Sequence, residues 1–325
     1  MKIAVDHLDI PIIRSCNLAC LGCMTHSNHK NIRGLVDPDQ SRPWLEFWAE
    51  RLELRSLTLF GGEPLLHPQF SKWVTVCKEI FGPDVGINVN TNGYYLDKLF
   101  DKIPDLFNPD TALSMVVSVQ TGTEPYCSVV NNNFILLKQK IIEYYQTLGY
   151  TTAQWELFLD EYESNTKQWY RLIIPKPNCY NPGIGLVTCQ QHKLHWTRFY
   201  QGYAEQMRPV YNYNDEKYQA NHSVCQAAGY ITLYQGRMYK CPPIGVLGHT
   251  LGTFDLLDNS DWRPYLDNIV TVGTDSSDQE IADWFVKQAQ PEKLCNMCGF
   301  TQGPITMEER SHYSKINWNY TIDFR

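Results

Sequence analysis

The first half of the chain alternates short apolar runs with segments whose apolar residues recur every three or four positions. The runs at 2–13, 56–60, 86–90 and 113–119 predict strands, and the segments between them predict helices. Strands that alternate with helices form parallel sheets, because each helical crossover returns the chain to the same end of the sheet. The alternation therefore predicts an α/β fold.

The second half continues this pattern less regularly. Segments near 155–159 and 171–175 predict two more strands, which brings the parallel sheet to about six. Residues 178–224 are polar and aromatic, which is typical of binding loops. The next segment predicts a β-hairpin that turns at Gln235-Gly236.

Composition limits the classes of partner. The 325 residues carry a formal net charge of −7 and show no basic arm or stripe, so we expect no strong nucleic-acid binding. The sequence contains no apolar run of about 18 residues, and Asp6 and Asp9 interrupt the N-terminal segment where a signal peptide would be apolar. We therefore expect a cytoplasmic protein with no membrane segment.

Seven of the eleven cysteines fall into two groups. Cys16, Cys20 and Cys23 lie in one loop directly after the first predicted strand. Three thiolates at this spacing can bind three corners of a cubane iron-sulfur cluster and leave the fourth iron open. A zinc site with His26 as the fourth ligand is the alternative that the spacing alone leaves open.

Two further motifs follow the second and third predicted strands, at the rim where ligands bind in parallel α/β folds. The glycines of Gly61-Gly62-Glu63-Pro64 let the backbone approach a ligand, and Glu63 can accept a hydrogen bond from an ammonium group. Hydroxyl and amide groups suited to a ribose lie at the end of the third strand, in the segment with Asn88, Asn90, Thr91, Asn92 and Gly93. Either motif taken alone could be an ordinary turn.

Together these motifs resemble the radical S-adenosylmethionine (radical SAM) superfamily. Cys16, Cys20 and Cys23 match its CxxxCxxC motif, Gly61 to Pro64 match its GGEP motif, and Asn90 to Gly93 resemble its ribose-contacting strand end. The resemblance covers about residues 8–120. It implies a partial (β/α)6 TIM-like barrel whose [4Fe-4S] cluster cleaves S-adenosylmethionine to a 5'-deoxyadenosyl radical, which abstracts a hydrogen atom from substrate.

The same resemblance implies that S-adenosylmethionine is bound by Gly61, Gly62, Glu63, Pro64, Asn90, Asn92 and Ser118. The chain departs from the family pattern at two positions. Gly22 stands where the family usually has an aromatic residue that frames the adenine, and Gln120 stands where an Asp is common. Adenine packing must then come from elsewhere.

The second cysteine group consists of Cys225, Cys241, Cys295 and Cys298. Four thiolates fit zinc and an iron-sulfur cluster equally well. The arrangement resembles the twitch domain of the same superfamily, the short form of the SPASM domain, whose fuller form would add cysteines after Cys298. This resemblance implies a second, auxiliary [4Fe-4S] cluster, fully ligated, that accepts an electron. We expect a barrel core over 1–220 and a twitch-like unit over 221–325.

The expected reaction is oxidation or rearrangement of a small polar molecule, with electrons from a flavodoxin or ferredoxin-type donor. Modification of a ribosomal peptide by crosslinking, thioether formation or epimerisation is an alternative. Such enzymes often carry an N-terminal leader-binding domain, whereas here the first strand begins almost at the first residue. An alternative of another class is a catalytically inactive, zinc-stabilised binding protein.

Several other side chains have two possible roles. His26 and His29 are either solvated loop residues or acid-base groups. Cys127, with Cys179 and Cys189, is either a small buried hydrophobe or a hydrogen-atom donor. The polar aromatic stretch is either a surface loop or the closure of the barrel mouth, and its candidates are Tyr180, Gln190, His192, His195, Arg198 and Tyr200.

Overall fold

The computed structural model describes residues 2–29, 32–108, 113–118, 120, 124–151, 153–162, 165–173, 183–190, 198–225 and 227–302. The strands within these ranges are β1 Ile3–Ile13, β2 Leu52–Gly61, β3 Gly86–Thr91, β4 Leu113–Ser118, β5 Gln154–Tyr162, β6 Asn165–Ile173, β7 Gly183–Gln190, β8 Ile231–Tyr234 and β9 Arg237–Tyr239. The helices are α1 Pro38–Arg51, α2 Phe70–Phe81, α3 Ile103–Leu106, α4 Tyr126–Thr147, α5 Tyr218–Ser223, α6 Pro242–Gly245, α7 Leu247–Thr253, α8 Arg263–Leu266 and α9 Asp278–Gln288.

All described strands form one sheet in the order β5-β6-β7-β4-β3-β2-β1-β8-β9. Its six central strands, from β7 to β8, pair in parallel throughout. The connections between successive strands of the first half run through helices, as the sequence pattern predicts. The predicted α/β class with a partial TIM-like barrel of six parallel strands is therefore confirmed.

The two faces of the parallel strands differ in chemistry. One face is apolar, with Leu8, Leu57 and Ile87 buried in the same core as residues of α2 and α4. The opposite face is polar at one level across five strands. Paired positions there are Thr232 of β8, Asp9 of β1, Thr58 of β2, Asn88 of β3 and Ser114 of β4.

The C-terminal hairpin joins the barrel sheet. β8 pairs in parallel with β1, and its two-residue turn to β9 has positive φ at Gln235 (50°) and Gly236 (81°). The turn lies where the sequence predicts it, since Gly tolerates this conformation. This hairpin belongs to the segment expected to form the second unit, whereas the division at residue 220 itself stays a prediction.

Two expectations about the middle of the chain are wrong. The strands near 155–159 and 171–175 exist as β5 and β6, but they pair antiparallel rather than extending the parallel order. Only residues 163–164 connect them, and so short a connection permits only a hairpin. In addition, residues 183–190 form β7, the parallel neighbour of β4, inside the stretch expected to be irregular.

A second core lies beside the barrel. It contains Trp262 and Tyr265, both fully buried, together with Leu247 and Leu251 of α7 and Cys298 of the second cysteine group. The Trp262 indole donates a hydrogen bond to the carbonyl of Met207 at 2.9 Å. No helix within the described ranges is both long and apolar enough to cross a membrane.

The contact between Trp48 and the hairpin generates a test of how firmly β8 and β9 belong to the barrel. Trp48 of α1 is fully buried, and its indole donates to the buried carbonyl of Gly236 at 3.0 Å. We expect Trp48→Phe to destabilise the protein by about 1–3 kcal/mol, because it leaves that carbonyl without its donor. Hydrogen-deuterium exchange of residues 231–239 should rise.

Trp73→Phe is the matched control. Trp73 is equally buried and donates to the carbonyl of Val36 at 3.0 Å, away from the hairpin. The Val36 carbonyl also contacts His67 Nε2 at 3.0 Å, so Trp73→Phe should lower global stability by less than Trp48→Phe. Trp73→Phe should not selectively expose residues 231–239. Unchanged exchange of the hairpin in Trp48→Phe would show that α1 does not hold it.

Candidate functional site

The three cysteines of the first group lie in the loop that follows β1, each half-buried and outside any disulfide. Backbone hydrogen bonds fix this loop to the end of β2. The N–H of Gly62 donates to the carbonyl of Ile13 at 2.8 Å, and that of Glu63 donates to the carbonyl of Ser15 at 2.9 Å. The predicted cysteine loop and GGEP motif are therefore in direct contact.

Only glycine fits at the two positions of this contact. A Cβ on Gly61, where φ is +146°, would lie 2.0 Å from the carbonyl oxygen of Ile13. A Cβ on Gly62 would lie 1.9 Å from that of Ser15. Both distances are far below van der Waals contact, and both neighbours are backbone atoms that no rotamer change can move. The glycines thus let two strand ends meet at the cysteine loop.

The Glu63 carboxylate is fully buried and joins the GGEP turn to the end of β3. It accepts hydrogen bonds from the Thr91 hydroxyl at 2.6 Å, the Asn92 N–H at 2.7 Å and the Leu65 N–H at 3.1 Å. Burial raises its pKa to about 7, against the lowering effect of those three bonds. Its predicted contact with the methionine ammonium stays a prediction, and three protein donors already share its oxygens.

The residues after β3 bring amide groups to Cys16. The Asn92 side chain donates to Asn17 Oδ1 at 2.7 Å and lies 3.8 Å from the Cys16 sulfur, which also accepts from the Leu18 N–H at 3.4 Å. Burial raises the pKa of the Cys16 thiol well above its usual range, and the charges of Cys20 and Glu63 add to this effect. A thiolate here needs a positive partner.

The other predicted ligand-contacting residues are spread along the same rim. Asn90 is exposed near the end of β3, and Ser118 is half-buried at the end of β4. Pro64 is buried and begins a 3₁₀ turn, Pro64–Leu66. Asn90, Asn92 and Ser118 therefore end neighbouring strands, as expected, and their contacts with S-adenosylmethionine stay predictions.

Both departures from the family pattern lie at the cysteines. Gly22 has φ of 69°, a left-handed conformation that glycine adopts freely and an aromatic residue does not. The amide oxygen of Gln120 lies 3.9 Å from the Cys20 sulfur, and the Gln120 N–H donates to the Tyr126 hydroxyl. Gln120 thus reaches the cysteine loop as an uncharged group.

A buried cation lies beside this loop. Arg14 is fully buried, and its guanidinium donates to the Thr25 carbonyl at 2.6 Å and to the Thr250 hydroxyl at 2.8 Å. Burial lowers the pKa of Arg14 to about 10, so it stays protonated at neutral pH. The Thr25 hydroxyl lies 3.4 Å from the Cys23 sulfur and donates to the Gly61 carbonyl at 2.8 Å.

The two loop histidines are buried rather than solvated. His26 has no exposed surface and His29 has 2%. The His26 ring meets the Tyr200 ring edge to face, and His29 stacks on Tyr203. Burial lowers the pKa of both histidines, that of His29 to about 4, and the charge of Arg14 lowers them further. The solvated alternative is therefore wrong, and both rings are neutral at pH 7.

The other candidates divide between described and undescribed parts of the chain. Tyr200 is buried and donates to the Asn28 side chain at 2.5 Å, so this part of the polar aromatic stretch packs against the cysteine loop. Cys127 is half-buried against the main core. Cys179, Tyr180, His192 and His195 lie outside the described residues.

The second cysteine group lines one cavity. Cys225, Cys241, Cys295 and Cys298 all border it, with apolar neighbours such as Ile244 and Met297. Burial raises the pKa of each thiol, that of Cys225 to about 11. Repulsion between sulfurs adds to this effect at Cys225, Cys241 and Cys298, and the Glu292 charge adds to it at Cys295. Four thiols in one apolar cavity form a donor set that fits a metal centre, which would be needed to hold them as thiolates.

Two polar side chains support this cavity. Asn221 is buried, and its amide donates to the carbonyls of Cys295 at 3.1 Å and Cys298 at 2.9 Å, which fixes the CxxC turn. Lys240 borders the cavity and forms an ion pair with Glu292 at 3.2 Å. Across the described residues, no three His, Cys, Asp or Glu side chains are placed to share a single metal ion.

Comparison with protein families identifies the N-terminal part. Residues 10–151 match the family model of the radical SAM superfamily, and this range contains the first cysteine group and the GGEP turn. Residues 10–151 form a radical SAM domain. This family implies a [4Fe-4S] cluster and S-adenosylmethionine. The chain supplies a matching donor set in three cysteine thiols, none of them in a disulfide, beside a glycine turn.

Two curated relatives are named GTP 3',8-cyclase. The protein from Chlorobaculum tepidum is 30% identical over 99 residues, which are 30% of this chain and 29% of the relative. That from Nautilia profundicola is 28% identical over 108 residues, which are 31% and 32% of the two chains. The match thus spans less than a third of either relative.

Two solved structures with bound AdoMet show distant similarity to this chain. BtrN in complex with AdoMet and 2-DOIA matches at 13% identity and a TM-score of 0.44, over 97% of this chain and 100% of BtrN. The protein anSMEcpe with bound AdoMet matches at 18% identity and a TM-score of 0.32, over 42% and 41% of the two chains.

Sequence reasoning missed Arg14, Thr25, Asn221 and Lys240. Arg14 offers one signal, since a solvated arginine is unusual directly after a buried strand and two residues before a cysteine of the first group. The partners of the other three come from segments remote in sequence, so no local pattern identifies them.

The glycine contact of the radical SAM domain generates a direct test. We expect Gly62→Ala to destabilise the protein by about 3 kcal/mol or more and to abolish S-adenosylmethionine binding, because the new Cβ must push Ser15 and the cysteine loop away. Gly86→Ala is the control, since its Cβ would meet nothing closer than 3.6 Å. Calorimetric titration with S-adenosylmethionine and thermal unfolding of both variants check this. Wild-type stability and binding in Gly62→Ala would show that the close backbone contact at Gly62 is not required.

Because His29 is buried and its pKa is lowered, we expect the free energy of unfolding to fall at acidic pH. Its folded pKa is about 4, below the usual 6.5, so the unfolded chain binds more protons between these values and stability falls as pH decreases through this window. From pH 7 to pH 5 the loss from His29 alone should be about 2 kcal/mol. In the wild type the Ala204 N–H donates a hydrogen bond to His29 Nδ1 at 3.1 Å. His29→Gln removes the titrating ring but keeps a side-chain acceptor for this N–H.

The measurement is the melting temperature of wild type and His29→Gln at pH 7 and pH 5. The wild type should lose more stability than the variant on acidification. Equal losses would show that His29 already titrates normally in the folded protein.

Proposed function

We propose that this chain is a radical SAM enzyme that cleaves S-adenosylmethionine to a 5'-deoxyadenosyl radical and abstracts a hydrogen atom from a small polar substrate. The net reaction is oxidation or rearrangement, in which an auxiliary [4Fe-4S] cluster held by the second cysteine group accepts an electron. The observation that carries the proposal is the attachment of the Cys16/Cys20/Cys23 loop to the glycine turn at the rim of a parallel barrel.

Each part of the first site has a stated role. Cys16, Cys20 and Cys23 hold the first cluster. The backbone of Gly61 and Gly62 lies against the loop that carries these cysteines. When bound and reduced, the cluster supplies one electron to the sulfonium of S-adenosylmethionine. Glu63 keeps the GGEP turn and the end of β3 together, so that Asn90, Asn92 and Ser118 stay on the ligand side of the rim.

The polar face of the barrel supports a small polar substrate. His7 Nε2 lies 3.2 Å from Asp9 Oδ1 and 2.9 Å from the Thr58 hydroxyl, while His7 Nδ1 lies 2.9 Å from that of Ser56. The hydroxyl of Thr232 is buried without a partner among the described residues. Hydroxyl, carboxylate and imidazole groups of this kind suit a molecule rich in hydroxyl or amino groups.

The named relatives offer one specific candidate substrate, GTP. The similarity spans less than a third of those proteins, so GTP enters as a compound to be tested. Asp9 is the charged member of the polar row across β8 to β4, and a carboxylate favours an amine over a phosphate. We therefore rank a hydroxylated amine above a nucleotide triphosphate.

The second cysteine group supports the auxiliary cluster through its chemistry. Its cavity is lined by the four thiols and by apolar side chains, with Asn221, His222, Lys240 and Gln288 as polar neighbours. The apolar part of the lining limits the access of water to an electron carrier. We propose that all four cysteines ligate this cluster, so it exchanges electrons and does not bind substrate. The first cluster would receive its electrons from a flavodoxin or ferredoxin-type donor in the cytoplasm.

Metal and product analysis tests the whole proposal. Protein purified and reconstituted without oxygen should contain about eight irons and produce 5'-deoxyadenosine with dithionite and S-adenosylmethionine. A Cys16→Ala/Cys20→Ala/Cys23→Ala variant should retain about four irons and produce none. Cys127→Ala, which removes a half-buried thiol outside both groups, should behave like wild type.

Other outcomes separate the alternatives. A content of about four irons together with zinc would support the radical chemistry of the first site and contradict the auxiliary cluster as electron acceptor. Protein that contains zinc but no iron and forms no 5'-deoxyadenosine would contradict the proposed function and favour the inactive, zinc-stabilised binding protein. A mass change on a small peptide, with none on hydroxylated amines or GTP, would favour peptide modification.

A further inference from the structure

Arg14 is a buried charge whose direct partners are uncharged. Its side chain has no exposed surface, and its two hydrogen-bond acceptors are the Thr25 carbonyl and the Thr250 hydroxyl. Its Nε atom is buried without a partner in the described structure. A buried guanidinium is costly unless a negative charge compensates it, and neutral acceptors do so only in part.

The first cysteine group provides negative charge next to this cation. Thr25 connects the two, because its carbonyl accepts from Arg14 while its hydroxyl lies 3.4 Å from the Cys23 sulfur. Arg14 also lies two residues before Cys16 in the chain. Three thiolates in this loop would place negative charge within a short distance of the guanidinium, in a medium where charges interact more strongly than in water.

The neighbouring titratable groups do not compete for this role. Burial lowers the pKa values of His26, His29 and His249, and the charge of Arg14 lowers them further, so all three are neutral at pH 7. The Tyr234 hydroxyl interacts favourably with Arg14, but its pKa is raised by burial, so it is protonated. The fixed positive charge next to the thiolates is therefore that of Arg14.

We propose that Arg14 is the counter-charge of the Cys16, Cys20 and Cys23 thiolates and that it raises the reduction potential of the cluster they hold. This inference rests on the proposed function of the first cysteine group. Reduction adds one electron, taken from the external donor, to the unit of cluster and thiolates, and Arg14 exchanges neither a proton nor an electron. A fixed positive charge stabilises the more negative, reduced state. Arg14 is thus a positioning residue.

The experiment is a redox titration of the reconstituted full chain, monitored by electron paramagnetic resonance. The signal that added S-adenosylmethionine perturbs reports the first cluster, since the other is fully ligated. Arg14→Gln removes the charge, and we expect it to lower the equilibrium constant for one-electron reduction at least about tenfold, which corresponds to a shift of 59 mV to lower potential.

Three further variants separate charge from packing. Arg14→Lys keeps the charge and should retain most of the wild-type potential. Thr250→Val removes one acceptor of Arg14 and leaves the charge in place, so its potential should be unchanged. Arg51→Gln removes a half-buried arginine whose partner is Asp278, away from the cysteines, and should also match wild type.

The outcomes decide the inference. Arg14→Gln with full iron content and wild-type potential would overturn it. If Arg14→Gln loses about four irons, the Arg14→Lys variant decides. Wild-type iron content and reduction potential in Arg14→Lys would support the counter-charge. Loss of both in Arg14→Lys would overturn the inference and show that Arg14 acts through packing. A shift of equal size in Thr250→Val also overturns it. A wild type without a signal that responds to S-adenosylmethionine would refute the proposed function, and this inference with it.

Discussion

The close backbone contact between the end of β2 and the segment after β1 determines the geometry of the first site. Gly61 and Gly62 allow the carbonyls of Ile13 and Ser15 to approach within distances that any Cβ would block. The resulting hydrogen bonds hold the start of the cysteine loop at the barrel rim. The Glu63 carboxylate then attaches the end of β3 to the same point through Thr91 and Asn92. Three strand ends and the thiols thus share one rigid base.

Burial makes it costly to hold charged groups at this junction of strand ends and thiols. The Cys16 thiol and the Glu63 carboxyl both have raised pKa values because water is excluded, while Arg14 keeps its positive charge in the same region. A loop that must hold several thiolates and one guanidinium out of water is stable only when these charges compensate each other. We therefore expect the folding of the loop to be coupled to the binding of the proposed cluster.

The barrel and the C-terminal region are joined at several points rather than at one linker. β8 extends the parallel sheet beside β1, Trp48 of α1 bonds to the hairpin turn, and Thr250 of α7 accepts from Arg14. The same region carries the four-cysteine cavity, whose CxxC turn is fixed by Asn221. The two cysteine groups therefore belong to one continuous framework, which is compatible with the proposed reaction, in which the first cluster initiates and the auxiliary cluster accepts an electron.

The sequence by itself determined the class of fold and the donor atoms. Apolar periodicity separates helices from strands, the alternation of the two implies a parallel sheet, and the spacing of cysteines and glycines marks the rim. Local patterns did not determine how β5, β6 and β7 pair, because strand direction depends on which chain segments meet in space. They also did not reveal that His26 and His29 are buried, or that Arg14 lies between Thr25 and Thr250. Burial and charge compensation depend on segments more than 200 residues apart in the chain, and only the tertiary structure brings these together.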